Sequence, residues 1–103
     1  MRIVVPKETA PGEHRVALVP ESAKKLKQAG YEIALEAGAG DAAGFGDAAY
    51  AALGVAIESD PAALLGSGDL VLKIGPPTIS PGRDEVAWMK SGAVYLGSLM
   101  PLR

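Results

Sequence analysis

Short apolar runs alternate with short helical segments along the whole chain, and this alternation restricts the fold more than any other feature. Ile3-Val4-Val5 is a β-branched run closed by Pro6, which cannot donate to a strand ladder. A loop from Lys7 to Arg15, with Pro11-Gly12 as its turn signal, leads through Val16-Ala17-Leu18 to Pro20. A proline loses nothing at the first helical position, so a helix is expected there, with Ala23 and Leu26 on its apolar face and Ala29 beside them. Lys24, Lys25 and Lys27 are expected to face water, and Gly30 to supply a left-handed cap.

Tyr31 to Glu36 alternates, placing Ile33 and Leu35 on one face of a second strand. Asp47 is expected to cap a helix through Leu53 that Gly54 stops, and Val55 to Ile57 is a third strand. Asp60-Pro61 opens another helix through Leu65, ended by Gly66 and Gly68. Leu70 to Ile74 is an apolar run suited to a buried strand and stopped by Gly75-Pro76-Pro77. A polar stretch, a helical patch from Glu85 to Lys90 and a fifth strand, Ala93 to Leu96, complete the pattern.

Parallel neighbours require crossover connections, so this order predicts an α/β fold. The expected form is a mostly parallel five-stranded sheet in a flavodoxin-like or Rossmann-like three-layer sandwich. With 103 residues, one domain is all the length allows. No helix follows the last strand, so residues 1–103 are expected to be one N-terminal domain, incomplete at its C-terminus, of a larger two-domain subunit.

A formal charge of −2 with intermixed signs offers no field for nucleic acid or an anionic membrane, and neither partner is expected. No apolar run is long enough to span a bilayer and the start enters a strand, so a cytoplasmic protein is expected. The absence of cysteine removes disulfides, thiolate ligands and thiol nucleophiles. No asparagine and one glutamine, Gln28, fit the amide depletion of thermophile proteins, although GC-rich codon usage produces a similar composition.

Ligands of open parallel sheets sit beyond the carboxyl ends of the strands, which draws attention to Lys7, Arg15 and Lys73. A lysine inside an apolar strand run and an arginine at the end of the first loop could form a small cationic site for a carboxylate or phosphate. The competing reading has Lys73 snorkelling at its strand end and Arg15 pairing with Glu8 or Glu13. The glycines from Gly38 to Gly44 are spaced G-x-G-x-x-x-G, with a helix only near Asp47, so they read as a flexible loop and not a dinucleotide fingerprint. His14 reads as a solvent-facing loop residue, and Tyr50 and Trp88 as core or interface volume. No spacing suggests a metal site and no serine has a nucleophile elbow around it.

The stretch from Val5 to Ile57 carries PKE, then RVALVP from Arg15 to Pro20, then EAGAG from Glu36 to Gly40, and DLVLKIGPP follows from Asp69 to Pro77. These ordered motifs resemble the N-terminal domain of the alanine dehydrogenase and NAD(P) transhydrogenase family over nearly the whole chain. Saccharopine dehydrogenases share a weaker version. The resemblance implies that Arg15 and Lys73 match the pair that holds the pyruvate carboxylate and carbonyl in alanine dehydrogenases. It also implies a catalytic histidine after the fifth strand, where Ser98 stands here, and a serine without a base cannot replace imidazole.

That departure points to the transhydrogenase alpha subunit, the NAD(H)-binding component that passes hydride to NADP on another component, coupled to proton translocation. By this resemblance the partners are the NADP-binding and membrane subunits and a second copy of the parent, at the inner face of the membrane. The cofactor NAD(H) would lie mainly downstream, and the isolated chain would be inactive with no catalytic, cofactor or metal residue of its own. The alternatives are a fragment of an NAD-dependent alanine dehydrogenase and, from another class, a non-catalytic docking or dimerisation module.

Overall fold

The computed structural model describes residues 1–97 except Pro11; the predicted Pro11 turn, Ser98 and Pro101 therefore lie outside the described residues. Five parallel strands form one sheet: β1 (Arg2–Val5), β2 (Glu32–Glu36), β3 (Ala56–Glu58), β4 (Leu70–Lys73) and β7 (Val94–Gly97). Their order is β3-β2-β1-β4-β7. Of the two topologies left open by the sequence, this is the Rossmann order, in which the chain first winds outward in one direction and then returns past β1 to wind in the other.

Right-handed crossovers fix which face each helix covers. Helices α1 (Pro20–Gln28) and α2 (Asp47–Ala51) follow β1 and β2, and Ala23 and Tyr50 pack there with Ile3, Val5, Ile33 and Leu35. Helices α3 (Pro61–Ser67) and α4 (Glu85–Trp88) lie on the opposite face, where Leu64 and Leu65 pack with Val4, Ala34 and Val71. The alternation read in β2 is thus real, but both of its faces are buried. Among the described residues, the α1-side corner beside β7 stays open. Val94 and Leu96, in register with Leu70 and Leu72, are more than half exposed.

The helix signals act as physics requires, with exceptions. Pro20 and Pro61 occupy first helical positions, Gly30 takes a positive φ, and the Asp60 carboxylate accepts the Ala62 N–H at 3.1 Å. Asp47 does not cap α2: the cap is Gly46, and the Asp47 carboxylate instead accepts the Gly38 N–H at 2.9 Å, closing the glycine-rich loop. Gly66 does not end α3, which runs on to Ser67, and Ala29 is exposed. The polar stretch after Pro77 contains an unforeseen antiparallel hairpin, β5 (Ile79–Ser80) and β6 (Arg83–Asp84).

Candidate functional site

The carboxyl ends of β1, β2 and β4 meet in a network of charged groups. Lys73, the last residue of β4, is 2% exposed. Its ammonium donates to Glu85 Oε1 at 2.7 Å, to Thr78 Oγ1 at 2.8 Å and to the Pro76 carbonyl at 3.2 Å. An ammonium has three protons, so each has an acceptor within the chain.

Glu85 is the counter-charge. It opens α4 just after the hairpin, is 1% exposed and also accepts the Thr78 N–H at 2.6 Å. Burial pushes its carboxyl up, but Lys73, the Thr78 N–H and Arg83 outweigh it and hold the group below the ordinary value. Arg83 spans Glu85 Oε2 at 2.7 Å and both oxygens of Glu36, at 2.8 and 3.1 Å. That fork raises the Arg83 pKa, first through Glu36 and then, against burial, through Glu85. Glu36 ends β2 and accepts the Lys7 N–H at 2.8 Å. The hairpin is thereby tied to two strand ends at once.

Burial raises Tyr95 to about 12, assisted by Glu85 and Glu8, and its hydroxyl donates to the Gly75 carbonyl. Lys73 lines two cavities. One of about 140 Å³ is bordered by Ala17, Leu72, Leu96 and Gly97, and one of about 280 Å³ by Glu8, Thr9, Gly75 and Thr78.

The other predicted site residues are placed differently. Arg15 is exposed and forks onto Glu13 at 2.9 Å, holding that carboxyl down at about 2. It makes no hydrogen bond to Lys73 or its partners among the described residues. Lys7 and His14 are exposed. Tyr50 is fully buried, and its hydroxyl donates to the Leu18 carbonyl at 2.8 Å. Trp88 packs at the edge of the α3-side core.

The glycine-rich loop does not fit a dinucleotide. A Cβ at Gly40 would stand 2.6 Å from the Phe45 carbonyl and 2.8 Å from the Tyr50 ring, so Gly40 serves internal packing and does not make room for a pyrophosphate. The Asp47 carboxylate adds negative charge beside it. Among the described residues there is no cluster of metal ligands, and no helix is long and apolar enough to cross a membrane.

Glu85 and Arg83 were not singled out by sequence reasoning. A lysine in an apolar strand demands a counter-charge. Glu85, twelve positions on, is the residue that answers it.

Residues 4–103 match the family described as alanine dehydrogenase/PNT, N-terminal domain. The chain belongs to this family. It is similar to the first of the polypeptides that make up the NAD(P) transhydrogenase alpha subunit of Rhodospirillum rubrum, at 47% identity over 96% of this chain and 27% of that protein. It is also similar to the alanine dehydrogenase of Halomonas elongata, at 40% identity over 89% of the chain and 24% of that protein. Among solved structures, the transhydrogenase of Sinorhizobium meliloti superposes with a TM-score of 0.79 at 31% identity, covering 94% of this chain and 27% of that one. An L-alanine dehydrogenase superposes with a TM-score of 0.79 at 30% identity, covering 94% of this chain and 26% of that one. The chain spans about a quarter of the length of these family members. Both are oxidoreductases.

Proposed function

We propose that the chain is the N-terminal domain of an NAD(P) transhydrogenase alpha subunit whose parent passes hydride from NADH to NADP, coupled to proton translocation. The observation that carries this reading is the 47% identity to the Rhodospirillum rubrum subunit along nearly the whole chain. The site geometry supports it. An oxo acid needs a free donor at its carbonyl and a cation at its carboxylate, whereas the Lys73 protons are all taken and Arg15 is turned onto Glu13. Lys73 and Arg15 are then structural, and the dinucleotide site lies outside this chain, consistent with the closed packing of Gly40. The partners in this reading are the NADP-binding and membrane subunits and a second copy of the parent, at the inner face of the membrane.

A second reading, an NAD-dependent alanine dehydrogenase, is favoured by one observation: Lys73 lines two cavities at the rim where the sheet would present a substrate. The readings separate in one assay on the full polypeptide. NADH oxidation is followed first with pyruvate and ammonia, then with an NADP analogue and the NADP-binding partner. Turnover only with the nucleotide acceptor is expected; turnover with pyruvate would replace this reading with the second.

A further inference from the structure

The glutamate of the PKE opening has no role in either reading, yet it occupies the centre of the rim. Glu8 follows β1 and reaches across to the end of β4. Its Oε2 accepts the Ile74 N–H at 2.7 Å and its Oε1 accepts the Gly75 N–H at 3.1 Å. Strands β1 and β4 are neighbours whose following helices lie on opposite faces, so the strand order reverses between them. In open α/β sheets that reversal opens the crevice in which ligands sit. Successive backbone N–H groups converging on two oxygens are a common way to hold a small anion. Here the chain's own carboxylate fills that place, and the cavity of about 280 Å³ lined by Lys73, Thr9 and Thr78 adjoins it.

We propose that the Ile74 and Gly75 N–H groups form a carboxylate cradle that Glu8 keeps plugged, and that a small free monocarboxylate occupies it once the Glu8 side chain is removed. The space vacated by Glu8 merges with the adjoining cavity, so an ion of acetate size has room. The buried Lys73 ammonium lining the same cavity favours negative charge there. A plain structural staple between two strands would have no such affinity for a free ion.

The test is the Glu8→Ala variant of the full polypeptide, melted in increasing sodium acetate and, at matched ionic strength, in sodium chloride. The variant is expected to melt below the native protein and to recover by roughly 5 °C, saturably, in acetate and not in chloride. The native protein and a Glu8→Gln variant, whose cradle stays filled, are expected to respond alike to the two salts. Equal melting of Glu8→Ala in both salts would overturn the proposal, as would an acetate response of Glu8→Gln as large as that of Glu8→Ala. If Glu8→Ala does not fold in chloride, its refolding yield is read in acetate: recovery supports the cradle and no recovery overturns it.

Discussion

Lys73 and Glu85 form the kind of pair whose loss is felt on one side only. Removing a single partner leaves an uncompensated buried charge, which costs about 3–5 kcal/mol. Glu85→Gln is therefore expected to lower the urea midpoint by a corresponding amount. The sign of the pH dependence follows from the depressed Glu85 pKa. A carboxylate whose folded pKa is lowered contributes stability that is present above its ordinary value and lost as pH falls through the folded one. Unfolding midpoints from pH 7 into the acid range should fall for the native chain and fall less for Glu85→Gln. Arg15→Gln, which removes an exposed pair with Glu13, should leave the midpoint unchanged at pH 7. The sequence showed Lys73 as a charge in an apolar strand, and the competing expectation that Arg15 pairs with a nearby glutamate is met at Glu13. Snorkelling does not describe Lys73, because its ammonium is buried, and the partner that explains this depends on a hairpin folding back across the rim.

At the scale of the element, what could be read was what leaves a long or punctuated trace. The five strands and the helices opened by Pro20 and Pro61 were legible because proline, glycine and capping aspartate act locally. The β5–β6 hairpin was not: two-residue strands carry no periodicity, and their pairing is fixed by Glu85 and Arg83 reaching the sheet. The same locality makes α3 testable. Asp60→Ala should cost about 1 kcal/mol through loss of the cap on Ala62, measured by urea unfolding. Gly68 sits where α3 turns into β4, and a Cβ there would stand 2.4 Å from a methyl of Val4 in the core of β1. Gly68→Ala is expected to destabilise by about 1–3 kcal/mol, since backbone or the buried valine must shift.

For the molecule as a whole, the Rossmann order places the ends of β1, β2 and β4 together, and the chain spends its buried charges there on itself. The three-layer architecture was legible from the alternation of elements, and the family from its motifs. The state of the rim was not, because whether Lys73 is a ligand-holding or a structural cation depends on where Thr78, Pro76 and Glu85 come to lie. The central claim is that Lys73 is structural, and it is tested most directly by measuring unfolding and hydride transfer on one variant of the full polypeptide, Lys73→Met. The account predicts a stability loss of about 3–5 kcal/mol, with the KM for NADH and the turnover per folded molecule unchanged. A variant that keeps its unfolding midpoint but loses NADH oxidation with pyruvate would contradict it and make Lys73 a substrate residue.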